Sequence, residues 1–157
     1  MAAADYRCRV HLTAPHGSED RVWLRLRQAL WPEASEAEQA SSMADSLVRG
    51  HYVRLAVSSS GSAVGFVEAT RRVDHVNGTS SSPVAFLEGL YVVPQSRRQG
   101  VARSLVESVV QWALQQGCSE LASDSFLDNS AAHATHRALG FEETERVVYF
   151  RRALHHE

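Results

Sequence analysis

An apolar run at residues 84–93 ends at Pro94 and is followed closely by a long segment with helical spacing. The run predicts a long buried strand, which we expect to be the central strand of a sheet. The segment at residues 97–116 predicts an amphipathic helix that ends at Gly117. Its apolar residues recur at steps of four and three: Val101, Leu105, Val109 and Trp112. Together the two elements predict a sheet with a helix packed on it.

The remaining segments predict an α/β domain around one twisted mixed sheet, flanked by about four helices. A turn at residues 14–18 makes Ser18 the expected N-cap of a first helix, which ends at Trp31 and Pro32. Further strands are expected at residues 6–12, 51–58, 63–73, 119–123 and 141–152, and further helices at residues 33–48 and 129–139. We expect residues 1–157 to form one domain that ends in a short unstructured tail.

Composition excludes several classes of protein. Sixteen basic and eighteen acidic residues give a net charge of −2, which lacks the basic excess that favours nucleic acid as a partner. The two cysteines, Cys8 and Cys118, are far apart in the sequence, so we expect no metal site, and a reducing compartment. The sequence shows no secretory leader and no run of 18 apolar residues, so we expect a cytoplasmic protein without a membrane partner.

The connection between the long strand and its helix, residues 93–103, has the composition of an anion site. Unpaired N–H groups and the dipole at a helix N-terminus attract phosphate. Gly100 and Ala102 leave the backbone open, while Arg97 and Arg98 add positive charge. A pyrophosphate would fit there. The alternative is an ordinary helix start with solvated arginines.

Two motifs in this chain resemble the GCN5-related N-acetyltransferase superfamily. The order strand-Pro-x-x-Arg97-x-x-Gly100-x-Ala102 is similar to the acetyl-CoA signature of that superfamily. Residues 129–141, NSAAHATHRALGF, resemble its later Asn-x-x-Ala…Leu-Gly-Phe segment. The inferred order of elements matches over nearly the whole chain, and the resemblance implies acetyl-CoA as co-substrate.

Further segments narrow the resemblance to bacterial aminoglycoside 6′-N-acetyltransferases. They are Leu30-Trp31-Pro32, Val76-Asn77-Gly78, residues 82–89, Ala122-Ser123-Asp124 and residues 140–145. The resemblance implies acetyl transfer to the 6′-amine of an aminoglycoside, antibiotic resistance and a homodimer. It implies that the aminoglycoside is contacted by Trp31, His75, Glu88, Asp124 and Glu145. It also implies that acetyl-CoA is contacted by Tyr91, Val92, Val93, Arg97, Arg98, Gln99, Gly100, Val101, Ala102, Arg103, Ser104 and Asn129.

The expected chemistry is direct transfer within a ternary complex. The 6′-amine must lose a proton before it attacks the thioester, and the candidate bases are Glu88 and Asp124. The resemblance places the N–H group that stabilises the oxyanion at about Val92. It also places His136 where the superfamily often has a tyrosine, so His136 is the candidate acid for the thiolate.

Several alternatives remain open from the sequence. Six acidic residues between positions 119 and 145 suit a polycation, and their alternative is a solvated acidic face. Glu88 lies in an apolar run, so it either faces a polar cleft or forms an internal salt bridge with Arg71 or Arg72. His75 stands where aminoglycoside acetyltransferases often have a tyrosine, which bears on substrate range. The competing functions are acetylation of another amine, such as a polyamine or a protein amino terminus, and non-catalytic binding of acyl-CoA or aminoglycoside.

Overall fold

The structure is a computed structural model, and it describes residues 9–154. The strands are β1 (Val10–Thr13), β2 (Tyr52–Ser58), β3 (Ala63–Arg72), β4 (Val84–Val92) and β5 (Leu121–Ala122). The helices are α1 (Arg21–Leu30), α2 (Glu36–Val48), α3 (Val101–Gln115) and α4 (Ser130–Ala138). The expected α/β class with about four helices is confirmed. The part of the first predicted strand before residue 9 lies outside the described residues.

The five strands form one mixed sheet in the order β1-β2-β3-β4-β5. The pairs from β1 to β4 are antiparallel, and β5 runs parallel to β4. The strand expected at 84–93 is present as β4, but it is not central, because the described part of the sheet ends one strand beyond it. The central strand is β3. A serine and glycine turn joins β2 to β3 as expected, with the Gly61 N–H donating to the Ser58 carbonyl at 2.9 Å.

The helices α1 and α3 pack on opposite faces of this sheet. Phe66 of β3 is fully buried in a cluster with Trp23 of α1 and Met43 of α2. At the preceding position, a side chain on Gly65 would meet Leu105 of α3. Because successive strand residues point to opposite faces, the two helices must cover different sides. The apolar stripe of α3 is buried as its spacing predicts.

The helix starts correct the sequence-based expectations. Asp20, rather than Ser18, caps α1, because its carboxylate accepts from the N–H groups of Val22 and Trp23. Its burial opposes ionisation, but hydrogen bonds from the His16, Trp23 and Val22 N–H groups outweigh this and lower the pKa of Asp20. A capping box between Ser35 and Glu38 starts α2 three residues later than expected.

The strand expected at residues 141–152 is wrong. After α4, the described chain forms neither helix nor strand up to residue 154. A strand requires a neighbour for its backbone hydrogen bonds, and no described strand pairs with this segment. The chain divides into two compact units, one that ends at Asp124 and one that begins at Ser125. None of the described helices is long and apolar enough to cross a membrane.

Candidate active site

The turn between β4 and α3 is built differently from the continuous helix expected over 97–116. Residues Pro94–Ser96 form a single 3-10 turn, and α3 begins only at Val101. Arg98 has a φ of 59° and Gly100 a φ of 85°, so the backbone passes twice through the left-handed region before the helix starts. The Arg97 Nε donates to the Val92 carbonyl at 2.8 Å and ties this turn back to β4.

The first turn of α3 is open to a ligand. No side chain caps its N-terminus, and a Cβ added at Gly100 would meet no atom within 4 Å. The Ser104 hydroxyl donates to the Gly100 carbonyl at 3.2 Å and stabilises the turn from inside. An uncapped helix start beside the exposed Arg97 and Arg98 suits a phosphate. The residues present therefore fit the phosphate groups of a CoA molecule.

The two candidate carboxylates follow the point at which β4 and β5 separate. The strands pair at only two positions, Ala85 with Leu121 and Phe86 with Ala122. Two residues beyond the second pair are Glu88 on β4 and Asp124 after β5. Both acidic residues therefore follow the last β4–β5 pair by the same number of residues.

The N–H group of Val92, the predicted oxyanion donor, points away from β3. The neighbouring Val93 N–H donates to the Val64 carbonyl, at the β3 side, with a distance of 2.8 Å. Because N–H groups alternate sides along a strand, that of Val92 points to the other edge of β4. Beyond Phe86 no described strand pairs along that edge. We call the edge from Leu87 to Val92 the open edge of β4.

Glu88 forms the internal salt bridge that the sequence left as an alternative. Its Oε1 accepts from the Thr70 hydroxyl at 2.6 Å and from the Arg72 guanidinium at 2.7 Å. The Arg72 guanidinium also lies 3.6 Å from the centroid of the Phe86 ring. Glu88 also lines a cavity of about 590 Å³. Its side chain, 30% exposed, is therefore both paired and accessible from solvent.

Trp31 lies directly against β4 next to Glu88. Two atoms of its six-membered ring lie 2.6 and 2.9 Å from the position that a Cβ on Gly89 would take, which is too close for a side chain at residue 89. The ring also meets Phe66 edge-on, with the centroids 6.0 Å apart. Trp31 is half-buried, so one ring can pack in the core and still face a ligand.

His75 and Asp124 are exposed, and no hydrogen bond or ion pair of their side chains is seen among residues 9–154. Val76, next to His75, is buried with Phe86 and Ala122 and anchors this end of the loop at the β4–β5 pair. The other end is held by Glu120, whose Oε1 accepts from the Ser80 and Ser81 N–H groups at 3.0 and 2.7 Å. Hydrogen bonds from the Ser81 hydroxyl and the Ser80 N–H lower the pKa of Glu120.

Three predicted site residues belong to the second unit. Asn129 caps α4 through its side-chain oxygen, which accepts from the Ala132 N–H at 3.0 Å. The His136 Nδ1 lies 2.7 Å from the Ala132 carbonyl, and its ring meets Phe141 edge-on. Glu145 is exposed.

The acidic run at residues 119–145 is only partly available to a ligand. Glu143 accepts from Arg146 at 2.6 Å and from Arg137 at 3.3 Å, and these arginines lower its pKa. Glu120 is committed to the serine loop. Part of the run is therefore engaged in contacts within the chain, which differs from both the ligand site and the solvated face that the sequence suggested.

Sequence reasoning did not identify the buried ion pair between Arg27 and Glu68, each 4% exposed. The available signal was a charged residue in each of two apolar patterns. Arg27 follows Trp23 by one helical turn, and Glu68 lies within the apolar run of β3. Among residues 9–154 there is no group of three or more His, Cys, Asp or Glu that could hold a metal ion.

Comparison with known proteins agrees with this geometry. The model of the acetyltransferase (GNAT) family matches residues 23–141. A protein of Stenotrophomonas maltophilia named aminoglycoside N(6′)-acetyltransferase type 1 is 52% identical over 135 residues, which cover 85% of this chain and 86% of that protein. The crystal structure of the aminoglycoside antibiotic 6′-N-acetyltransferase AAC(6′)-Ih from Acinetobacter baumannii superposes with a TM-score of 0.88 at 42% identity, covering 93% of this chain and 99% of that one.

A second solved structure contains a ligand. AAC(6′)-Iy in complex with the bisubstrate analogue CoA-S-monomethyl-acetylneamine superposes with a TM-score of 0.86 at 37% identity, covering 93% of this chain and 99% of that one. The fold, the family match and these relatives agree. The chain therefore belongs to the acetyltransferase (GNAT) family and, within it, to the aminoglycoside N(6′)-acetyltransferases.

Proposed function

We propose that this protein transfers the acetyl group of acetyl-CoA to the 6′-amino group of aminoglycosides, directly within a ternary complex. The observation that carries the proposal is the open edge of β4. Along this one strand lie the carboxylate of Glu88, the outward N–H of Val92 and, after a short turn, the uncapped start of α3. The names of the relatives and the bisubstrate analogue bound to one of them support this acceptor and this co-substrate.

The CoA end of the site is basic and backbone-rich. In the proposal, the first N–H groups of α3 bind the pyrophosphate, since Gly100 leaves them accessible. Arg98 adds charge, while Arg97 also holds the turn against the Val92 carbonyl. The proposed CoA-contacting residues of the first unit are Tyr91, Val92, Val93, Arg97, Arg98, Gln99, Gly100, Val101, Ala102, Arg103 and Ser104. Asn129 is proposed from the second unit.

The acceptor end is aromatic and acidic. Trp31 offers a half-buried ring beside β4, and a ring of this kind packs well against the apolar face of a sugar. Carboxylates attract the ammonium groups of an aminoglycoside, and Asp124 is exposed at the end of β5 for this role. His75 and Glu145 complete the proposed acceptor contacts.

The reaction requires a proton to leave the 6′-ammonium before attack. The amine lone pair then forms a bond to the thioester carbonyl carbon, and the carbonyl oxygen becomes an oxyanion that the Val92 N–H stabilises. Collapse of this intermediate breaks the carbon–sulfur bond and releases the CoA thiolate. The second proton of the nitrogen leaves to solvent or to a carboxylate, and the thiolate takes a proton, for which we propose His136.

The two carboxylates differ in their suitability as base. Glu88 already accepts hydrogen bonds from Thr70 and Arg72, so its carboxylate is engaged within the chain. Asp124 has no ion-pair partner among the described residues. We therefore assign proton removal, directly or through one water, to Asp124 and orientation of the acceptor to Glu88.

Turnover is tested by incubating the protein with acetyl-CoA and kanamycin or tobramycin. Thiol release is followed spectroscopically, and the acetyl group on the product is located by mass spectrometry and NMR. The proposal expects one acetyl group on the 6′-nitrogen. Acetylation at another nitrogen would contradict the regiochemistry. Acetyl-CoA binding without turnover of any aminoglycoside would contradict the function, and spermidine serves as the alternative acceptor in that case.

Asp124→Asn separates the two halves of the site. It should lower kcat/KM for the aminoglycoside by about 10²-fold, the lower end of the range for a general base. The dissociation constant of acetyl-CoA should stay within about twofold of the wild type. The matched control is Asp128→Asn, the same change at an exposed position in the same acidic stretch. Equal losses in both variants would contradict the assignment.

We also propose that the protein acts as a homodimer in the cytoplasm and confers aminoglycoside resistance. A dimer is supported by the second unit, which exposes four consecutive apolar residues at positions 147–150. Their exposed fractions are 49%, 73%, 80% and 93% for Val147, Val148, Tyr149 and Phe150. Runs of this kind on a folded protein commonly mark an interface. Resistance is tested by the inhibitory concentration of tobramycin for bacteria that express the wild type or Asp124→Asn.

A further inference from the structure

Arg27 is a buried cation on the face of α1 that packs on the sheet. Its side chain is 5% exposed, as is that of its ion-pair partner Glu68 on β3. The Glu68 carboxylate also accepts from the Trp23 indole N–H at 2.8 Å. A buried pair of this kind adds little stability over apolar side chains of the same volume. The contacts of Arg27 point to a different role.

Every edge of the Arg27 guanidinium is engaged. One terminal nitrogen pairs with Glu68, and the other donates to the Ser42 hydroxyl at 2.8 Å. The Nε donates to the Gln39 side-chain oxygen at 2.8 Å. A guanidinium held at three points has a fixed plane as well as a fixed position.

This fixed guanidinium restrains Trp31 in two ways. Its central carbon lies 4.6 Å from the centroid of the Trp31 ring, within the range of a cation–π contact. It also fixes the Gln39 amide: with the oxygen committed to Arg27, the Gln39 NH₂ group donates to the Trp31 carbonyl at 3.1 Å. The reversed amide would place two donors against each other. Both the ring and the backbone of Trp31 are thus tied to Arg27.

We propose that Arg27 is a positioning residue for the acceptor half of the site. It acts through Trp31, which it holds against Gly89 and beside Glu88. The proposal rests on the proposed function, in which Trp31 contacts the aminoglycoside. It assigns to Arg27 an effect on the acceptor and none on acetyl-CoA.

The main test is Arg27→Lys, which keeps a buried positive charge for Glu68 but lacks the planar fork. Loss of the cation–π contact and of the Gln39 restraint should raise the KM for tobramycin about fivefold to tenfold. The KM for acetyl-CoA and kcat should stay within about twofold. Arg25→Lys is the matched control, because Arg25 is exposed on the same helix, and it should leave both KM values unchanged.

A second readout needs no substrate. Protein labelled with 5-fluorotryptophan should give three fluorine resonances, for Trp23, Trp31 and Trp112, and Trp31→Phe assigns the second. In Arg27→Lys the Trp31 resonance should broaden or split as the ring becomes mobile, while that of Trp112 stays in place. The double variant Arg27→Met with Glu68→Gln removes both buried charges. It therefore tests the loss of the guanidinium without leaving an unpaired buried ion that could unfold the protein.

The outcomes distinguish the two proposals. An unchanged Trp31 resonance and an unchanged tobramycin KM, in both the lysine and the double variant, would overturn the positioning role of Arg27. Equal rises in the KM values of tobramycin and acetyl-CoA would do the same, since they would indicate a general structural defect. If the wild type acetylates no aminoglycoside, the proposed function fails, while the fluorine spectrum still decides whether Arg27 holds Trp31.

Discussion

At the scale of single residues, Gly89 determines how closely Trp31 can approach β4. A Cβ at this position would lie 2.6 and 2.9 Å from two ring atoms of Trp31, and the Leu30 side chain would be 3.3 Å away. One side of the ring packs against the core cluster of Trp23 and Phe66, so the ring has little room to move away from β4 on that side. The absence of a side chain at residue 89 is therefore a condition for the position of Trp31, which the proposed acceptor site requires.

We predict that Gly89→Ala lowers the free energy of unfolding by about 1–3 kcal/mol, the usual cost of overpacking. It should also raise the KM for tobramycin, because the displaced ring no longer lies beside Glu88. Trp31→Phe removes part of the clash, so the double variant should be more stable than the sum of the single changes indicates. Denaturant melts and steady-state kinetics measure both effects. Strict additivity of the two substitutions would contradict the contact.

At the scale of elements, the serine end of the loop between β3 and β4 is held by one carboxylate, that of Glu120. Glu120, just before β5, accepts from the N–H and hydroxyl groups of Ser80 and Ser81. These hydrogen bonds stabilise the charged form and lower the pKa of Glu120 below its usual 4.5. A lowered folded-state pKa means that the contribution to stability is complete above that usual value and is lost as the pH falls through the folded-state pKa.

We predict that Glu120→Gln melts a few degrees below the wild type at pH 7. The difference between the two melting temperatures should shrink as the pH falls below about 4.5, because the wild-type carboxyl becomes protonated. Glu107→Gln is the control, since Glu107 is exposed on α3. Melting curves from pH 3 to pH 7 measure the effect. A difference that is independent of pH would show that charge on Glu120 does not hold the loop.

Elements with their own sequence signal were the predictable part of the fold. The strand expected at 63–73 is β3 to within one residue, since strand-forming residues between turn signals mark it. The sequence predicts the start of α3 four residues too early, because the helical spacing runs back into a turn shaped by Arg98 and Gly100. The segment at 141–152 has the composition of a strand, but composition does not tell whether a partner strand exists.

In the candidate site, too, residues with a local sequence signal are predictable, and contacts between distant residues are not. Gly100 and the arginines before it carry a local signal, and the structure places them at an open helix start. The sequence does not determine which arginine pairs with Glu88, because Arg71 and Arg72 are both candidates. The pairing of β3 with β4 selects Arg72. The ion pair of Arg27 and Glu68 joins residues 41 positions apart. No local pattern reports a contact at that separation.

At the scale of the whole molecule, the apolar run at 147–150 leads to a prediction about assembly. Light scattering on the wild type should give a mass near twice the chain mass of 17.3 kDa. A charge in an apolar interface is costly to bury, so Val148→Asp together with Tyr149→Asp should shift the mass toward that of one chain. Val48→Asp is the control, because Val48 is exposed at the end of α2, in the first unit. A wild type that keeps the mass of one chain at all concentrations would contradict the dimer.

The contact of Trp31 with Gly89 also limits how this enzyme can evolve. A side chain at residue 89 would meet Trp31 and would therefore disturb both this ring and β4, the strand that bears the Val92 N–H. Under the proposed function, acceptor range and catalysis are therefore coupled at that position. His75 and Asp124, which are exposed at a loop and at a strand end, carry no such coupling. Adaptation to new antibiotics should accumulate at those two positions while residue 89 stays glycine.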